Sequence, residues 1–483
     1  MEIATRRRRD GNRAPALLAC CAAGLLAGCA VGPNFKRPVM AVPAAFKENA
    51  GWTSAAPGDG SDRGPWWEVF GDPVLNNLET RLGTSNESII QAAANYEEAM
   101  EIARSDRTSF LPFVSVAGSA DRSRATDASS STGHGPTTSS YNAQLQASWQ
   151  PDFWGKVRRT VEADVAGAQA SAADLASARL SSQGALAQDY VELRAADDKI
   201  RLLEDAVAAY ARTVKITQNK YSVGVAARSD VITAQTQLDS ARAELINGGV
   251  VRAQLEHAIA VLVGVAPSEF SVARRPGLGL TIPEIPAQMA STLLERRPDI
   301  AAAERQAAEA NARIGIQTAA YFPDFTITGS GGYEGGTLSH LISDPFRFWT
   351  LGAQASDALL DWGQRHDLVL SAKAAYEASA ANYRLTVLTA LQQVEDNLAG
   401  LRILKDEATV EDVAVTEAAQ AAQIAINEYN AGTVDFTTVA AAQVTELSNR
   451  ETALAIHQEQ LTSSIALIQA LGGGWTTADL PRP

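Results

Sequence analysis

Thiols, thioethers and imidazoles are scarce in this chain. It has 3 Cys, 4 Met and 5 His among 483 residues. The thiols are Cys20, Cys21 and Cys29, so nothing beyond residue 29 can form a disulfide framework or a thiolate metal cage. His134, His257, His340, His366 and His457 lie far apart, without ligand spacing and without a nucleophile motif beside them. That argues against an enzyme and against a metal site. Long apolar runs are also missing: beyond the N-terminal segment no stretch reaches about 18 residues, so no helical membrane span is expected. Positive charge is in deficit, with 41 Lys+Arg against 55 Asp+Glu and a net charge of −14, which argues against nucleic-acid binding. Gly472-Gly473-Gly474 lacks the Lys and Ser/Thr of a phosphate loop and reads as a helix stop.

What is present is a long internal repeat. Trp154-Gly155 returns as Trp362-Gly363, Tyr221 and Gly224 as Tyr429 and Gly432, and Gln235 and Arg242 as Gln443 and Arg450, all 208 positions apart. Upstream, Pro112 and Gly118 return as Pro323 and Gly329, now 211 apart. The three-residue change assigns a surface loop to the region between Gly118 and Trp154. One structural unit has been used twice.

The N-terminus reads as a processing signal. Arg6 to Arg9 form a positive region, and residues 14–27 are apolar and too short to stay in a bilayer as a helix. Leu26-Ala27-Gly28-Cys29 resembles a lipobox, in which the Cys becomes the first residue and carries lipid. An ordinary signal peptide with an incidental Cys is the competing reading. Loss of residues 1–28 removes five Arg and two acids, moving the net charge to about −17. Ala30 after the Cys is not the Asp of inner-membrane retention, which implies sorting to the outer membrane.

Most of the remaining chain has the 3–4 apolar spacing of helices, but four segments alternate strictly: 113–121, 141–150, 325–334 and 349–356. Period two over about ten residues is the pattern of a transmembrane β-strand with a lipid face and a wet face. Aromatics gather at the segment ends, and Trp149, Trp154, Phe322, Trp349 and Trp362 are the expected interfacial girdle. Polar loops are expected over 121–140 and 335–347. A soluble hairpin is the plain alternative for any one strand; two equivalent pairs behind a lipobox favour membrane strands. Four strands cannot close a barrel, and an open edge in lipid leaves backbone groups unpaired. Three copies give twelve strands and room for a channel, whereas two give eight, which side chains would fill. A homotrimer is therefore inferred.

Each repeat reads as helix, strand, loop, strand, long helix, tight turn, long helix. Asp72-Pro73 predicts an N-cap with Pro in the first turn, and Arg297-Pro298 is read as opening the equivalent helix. The helix after Trp154 should run to about Tyr221, close to 100 Å at about 1.5 Å per residue. Such a length suits a conduit across the periplasm. At the turns, Gly224 and Gly432 fit the left-handed helix stop. Ser229 or Asp230 is expected to cap one following helix, and Asp435 or Thr437 the other.

Cys29-Ala-Val-Gly32-Pro33-Asn-Phe35, Trp66-Trp67 to Phe70, Asp72-Pro73-Val-Leu75, Arg297-Pro298-Asp299-Ile300 with Glu304, Tyr321-Phe-Pro323, and Val223-Gly224 followed by Asp230-Val231 together resemble the outer membrane efflux protein family. These are the TolC-like channels, and within them the resemblance is to the NodT-type lipoproteins of resistance–nodulation–division (RND) pumps. It implies a mainly α fold with a small transmembrane β part. Long hairpins would form a trimeric α-barrel, with four strands per protomer of a twelve-stranded β-barrel. It implies no catalysis and no cofactor beyond a covalent lipid on Cys29. The implied partners are outer-membrane lipid, a periplasmic adaptor and an inner-membrane RND pump.

The organisation expected is a signal peptide at 1–28, a lipid-anchored segment at 29–69, repeat one at 70–264, an equatorial linker at 265–290, repeat two at 291–474 and a tail at 475–483. By position, Val223, Gly224, Asp230, Val231, Tyr429 and Gly432 would be the tips that meet the adaptor. Family members often narrow the tip with an acidic ring, but the corresponding positions here are Thr438 and Ala441. Any constriction at Asp230, Thr438 and Ala441 is expected to rest on packing near Tyr429, with Asp230 supplying charge. The function implied is a passive exit duct for drugs or other small molecules. A type I secretion duct, a metal-ion duct and a non-transporting structural lipoprotein are the alternatives.

Overall fold

The computed structural model describes residues 30–41, 43, 45–48, 65–126, 134–275, 277–283 and 296–480. Cys29 and the rest of the signal lie outside the described residues. Repeat one contains α1 (Pro73–Ser85), α2 (Glu87–Arg107), β1 (Phe113–Thr126), β2 (His134–Trp149), α3 (Lys156–Ser222) and α4 (Arg228–Leu262). Repeat two contains α5 (Pro298–Ala319), β3 (Asp324–Gly335), β4 (Arg347–Ser356), α6 (Gln364–Ala431) and α7 (Phe436–Ala470). The four strands form one antiparallel sheet in the order β1-β2-β3-β4.

The helices α3 and α6 have 67 and 68 residues, each about 100 Å of continuous helix. Beside each run two shorter helices joined end to end. In repeat one these are α2 and α4, of 21 and 35 residues; in repeat two they are α5 and α7, of 22 and 35. The joints are built alike. Asn86 caps α2 by accepting from the Ile89 amide and donates its own amide to the Leu262 carbonyl at the end of α4. Arg297 stands at the corresponding place and donates to the Ala470 carbonyl at the end of α7. Gly264, at φ +67, leaves no room for a side chain, since a Cβ would meet the Ser85 carbonyl at 2.1 Å. Gly472, at φ +95, meets the Arg296 carbonyl at the same distance. A broken helix can therefore lie alongside an unbroken one, antiparallel to it, over nearly its full length.

That geometry corrects one expectation. Pro298 matches Glu87, not Pro73, because α5 corresponds to α2. Asp72 does cap α1, accepting from the Val74 amide at 2.8 Å with Pro73 in the first turn. Of the residues that would match α1 in repeat two, 284–295 lie outside the described ones. The polar loop expected at 121–140 also shrinks, because β1 continues to Thr126 and β2 begins at His134. Ser, Thr and Arg can sit in a paired strand where it runs to the margin of the apolar rows and beyond, because the ladder is made by the backbone.

The main apolar core lies halfway down the helices. It joins Phe46, Trp66, Phe70, Leu75, Leu82, Leu186, Leu193, Ile259, Leu398 and Ile465. A polar net straps the linker onto it. Arg194 is buried and donates to the Tyr190 hydroxyl, to Asp197 and to the Ala273 carbonyl. Tyr190 passes its proton donor to Asp72 at 2.9 Å. Arg252 clasps Asp197 at 2.7 Å and the Val272 carbonyl at 2.6 Å, and Asp198 accepts from the Gly277 amide. Each buried charge here has partners, which is the condition under which burial is tolerated.

Glu79 of α1 breaks that pattern. It is 1 % exposed, and neither carboxyl oxygen has a hydrogen-bond partner among the described residues. Burial alone pushes its pKa up to about 9. A raised carboxyl pKa favours the folded state fully below the unfolded value and loses that contribution as pH rises towards 9. Glu79→Gln should therefore match the wild type near pH 4.5 and outlast it increasingly towards pH 8, by on the order of 3 kcal/mol at neutrality. Thermal unfolding of both proteins across that range checks it; a gap independent of pH would show that Glu79 stays ionised in the fold.

Candidate functional site

The strand register separates the sheet into two faces. Residues directly opposite on paired strands share a face. Val116, Leu145, Gly331 and Trp349 form one row across all four strands, and Val114, Ala147, Gly329 and Leu351 form the next. Trp149, Ile327 and Ala353 make a third. On the other face the rows are Ser115, Gln146, Ser330 and Thr350, then Phe113, Ser148, Thr328 and Gly352. The first face is apolar and open, with Val116 at 82 %, Leu351 at 72 % and Trp349 at 76 % exposure. Apolar rows run from Phe325 and Ala355 to Tyr333, eight positions, or roughly 20 Å of height at a strand tilt near 40°. A sheet greasy over that height on one side and hydroxyl- and amide-rich on the other suits lipid outside and water inside.

The sheet meets the helices at aromatic corners. Trp154 stacks on Phe322, with centroids 4.7 Å apart, and its indole donates to the Pro323 carbonyl at 2.9 Å. Trp149 donates to the Phe110 carbonyl at 3.0 Å. Trp362 is exposed and is the one non-glycine residue among those described with positive φ, at 53°. Gly155 at φ +80 and Gly363 at φ +92 turn the chain from strand to helix. Two carboxylates missed from sequence hold these corners. Asp152 accepts from the Val157 and Arg158 amides at the start of α3. Asp361 takes the same part at α6, accepting from the Gly363 and Arg365 amides and from the Arg365 guanidinium. An Asp shortly before Trp-Gly, with an Arg a few residues after it, was the available signal. Of the expected girdle, Trp149, Trp154, Phe322 and Trp362 cluster at the helix-proximal end, whereas Trp349 stands higher, on the apolar face.

The N-terminal segment runs down from this corner. The Val31 amide donates to the Trp154 carbonyl. Arg159, buried, donates to the Val31 and Gly32 carbonyls and to Asn34. Arg37 pairs with Glu304 of α5 at 2.7 Å, and further down Glu395 of α6 accepts from the Lys47 and Glu48 amides. Ala30 lies so close to Gly155 that a Cβ there would meet it at 2.6 Å.

At the far end two helical turns form the tip. Gly224 at φ +77 and Gly432 at φ +79 end α3 and α6 as expected. The capping differs: α4 starts from Ala227, and Asp230 in its first turn accepts from the Ala227 amide at 3.3 Å, so neither Ser229 nor Asp230 is the N-cap. Asp435 holds the N-cap position of α7 without a side-chain bond. Val223 and Gly224 are exposed, while Asp230 and Val231 are half-buried. Val225, not singled out from sequence, is as open as Val223. Tyr429, expected on the exposed tip, is only 6 % exposed. It packs edge-on against Phe436 at 5.6 Å, and the Lys220 ammonium sits 4.1 Å from its ring centroid. The same ammonium bonds the Tyr429 carbonyl, so Lys220 ties hairpin one to hairpin two. Burial raises the Tyr429 hydroxyl pKa. Thr438 and Ala441 are exposed on α7.

A membrane-type sheet with one dry and one wet face, carried on helical hairpins about 100 Å long, defines the protomer of an outer-membrane channel. The family model described as "Outer membrane efflux protein" matches residues 81–265 and 289–473. The chain belongs to the outer membrane efflux protein family, whose members are passive channels and not enzymes, and which needs no cofactor. It is 28 % identical over 455 residues to the probable efflux pump outer membrane protein TtgC of Pseudomonas putida, covering 93 % of this chain and 94 % of that one. It is 26 % identical over 459 residues to the pyoverdine export outer membrane protein OpmQ of Pseudomonas aeruginosa, covering 93 % and 95 %. The solved outer-membrane channel OprN superposes with a TM-score of 0.86 at 27 % identity, covering 92 % of this chain and all of that one. Among the described residues no group of three or more His, Cys, Asp or Glu is placed to hold a metal ion.

The two faces predict opposite responses to one substitution. Leu351→Arg should destabilise the inserted protein by about 2–4 kcal/mol, and the adjacent Thr350→Arg by far less. Urea unfolding in lipid bilayers measures both, and equal costs would contradict the face assignment.

Proposed function

We propose that three copies of this chain form an outer-membrane exit duct for small, amphipathic compounds, fed by an inner-membrane RND pump through a periplasmic adaptor. The observation that carries this reading is the two-faced sheet with β1 and β4 at its edges. Each edge offers a row of unpaired backbone groups, a large cost in hydrocarbon, and edge-to-edge closure of three sheets removes it. Twelve strands then enclose a lumen lined by Ser115, Gln146, Ser330 and Thr350. The names of the relatives, one an efflux pump component and one an exporter of pyoverdine, favour small molecules as cargo.

In this reading Val223, Gly224 and Val225 of the first hairpin meet the adaptor, with Asp230, Val231 and Gly432 bordering the contact. Tyr429 acts from inside, holding the hairpins together with Lys220. The narrowest point lies near Asp230, Thr438 and Ala441, and closure rests on helix packing because α7 supplies no carboxylate there. The boundaries follow the same logic: signal peptide 1–28, anchored segment 29–69, repeats 70–264 and 291–474, linker 265–290 and tail 475–483. Cys29 carries the lipid. Support comes from Ala30, which packs on Gly155 beside the Trp154–Phe322 stack, so a lipid on the preceding residue starts at the membrane interface.

Deleting the gene should raise cellular accumulation of amphipathic dyes and antibiotics severalfold, and complementation should reverse it. Complementation that leaves dye accumulation unchanged for every compound in a strain lacking other exit ducts would refute the small-molecule reading. Separately, Cys29→Ser should abolish incorporation of labelled palmitate while the protein still fractionates with the outer membrane. Labelling that survives the substitution would place the lipid elsewhere.

A further inference from the structure

The charges of the four strands are sorted by face. Arg122 and Arg124 stand opposite Ser139 and Thr137, and Arg347 stands opposite Tyr333. By alternation from Val116 and Trp349, all three lie on the apolar, outward face. Asp121, Glu334 and Asp324 stand opposite Ser140, Asn142 and Ser356, which puts all three on the inward, polar face. The arginines are exposed, and no described carboxylate lies within ion-pair distance of any of them. Arg124 is steadied by its own strand pair, its Nε donating to the Thr137 hydroxyl at 2.9 Å.

Their height matters as much as their face. Arg122 and Arg124 come six and eight positions after Val116 on β1, about 20 and 26 Å along the strand on the side away from the helices. Arg347 opens β4 at the same end of the sheet. They therefore stand at and beyond the distal margin of the apolar rows. An arginine facing hydrocarbon at mid-membrane is strongly disfavoured, but at the interface it is nearly free. There the guanidinium fork matches phosphate oxygens in pairs. The chain as a whole is acidic, so this outward patch runs against its overall charge.

We infer that Arg122, Arg124 and Arg347 form an outward collar that binds the phosphates of anionic lipid headgroups in the outer leaflet. The inference rests on the outer-membrane channel reading. In a closed trimer β4 of one protomer would adjoin β1 of the next, bringing Arg347 to the same seam as Arg122 and Arg124, so a bound phosphate would also bridge protomers.

The test uses the full chain extracted as trimer from the outer membrane, with thermal dissociation as the readout. Adding bisphosphorylated lipid A should raise the wild-type midpoint by several degrees. R122Q/R124Q/R347Q should lose at least half of that rise, and R122K/R124K/R347K should keep more of it. D121N/E334Q, altered on the lumen face, should respond as the wild type does. Dephosphorylated lipid A with the same acyl chains should protect the wild type no better than bisphosphorylated lipid A protects the glutamine variant. An equal response of wild type and glutamine variant, or of phosphorylated and dephosphorylated lipid, overturns the inference. Inorganic phosphate protecting as well as the lipid overturns it too, in favour of a site for a soluble anion. If the triple glutamine variant is not recovered, Arg347→Gln alone carries the comparison. Absence of the wild type from the outer-membrane fraction would instead sink the underlying channel reading before any lipid is added.

Discussion

A strand in hydrocarbon must have every backbone amide and carbonyl paired, because no water is present to take the place of a missing partner. The rest of this protein follows from that demand. Four strands in the order β1-β2-β3-β4 satisfy each other internally and leave two edges. The same pairing fixes which side chains face out, since a slip of one residue would exchange Val116, Leu145 and Leu351 for Ser115, Gln146 and Thr350. Closure by three copies, as proposed, is the way to remove the remaining edges without adding strands to the chain.

Carrying such a sheet on long hairpins raises a second problem, which is how a helix of nearly seventy residues keeps a straight neighbour. The answer is to let one partner be continuous and build the other from two pieces. The two joints use the same device at equivalent positions. A glycine in the left-handed region, Gly264 or Gly472, lets a carbonyl approach closely, and a side chain from the next helix, Asn86 or Arg297, bonds the last carbonyls. Helix ends normally leave four carbonyls without partners. Here the joint itself supplies donors. The Arg194, Arg252, Asp197 and Asp72 net then strengthens the region where the N-terminal segment and the linker wrap the bundle.

Much of this was legible along the chain. Strict alternation over about ten residues located all four strands and placed the ends of β3 and β4 to within two positions, and the 208-residue offset marked α3 and α6 as equivalent. The Gly224 and Gly432 stops fell where expected. Other features were not legible. The polar ends of β1 and β2 read as loop because nothing in a Ser, Thr and Arg run distinguishes a paired polar ribbon from a turn. Tyr429 was expected at the adaptor-facing tip by its position, yet it is buried, while its repeat partner Tyr221 is exposed. Equivalent positions in a repeat share backbone, but their neighbours differ: Tyr429 packs on Phe436 of its own hairpin and meets Lys220 across the seam between hairpins.

Sequence by itself therefore determined the periodic elements and their doubled order, because hydrophobic period and glycine stops act within a few residues of chain. It also determined the sign of the two sheet faces, since alternation survives any register that keeps the apolar set together. Tertiary structure alone decided which carboxylates are paired and which, like Glu79, are buried without a partner. It decided that Tyr429 is buried, and that Lys220 reaches across to the other repeat. It also separated Arg122, Arg124 and Arg347 from Asp121, Asp324 and Glu334. Those outcomes depend on which distant elements are packed together, or on two strands held in one register, and no local pattern carries that information.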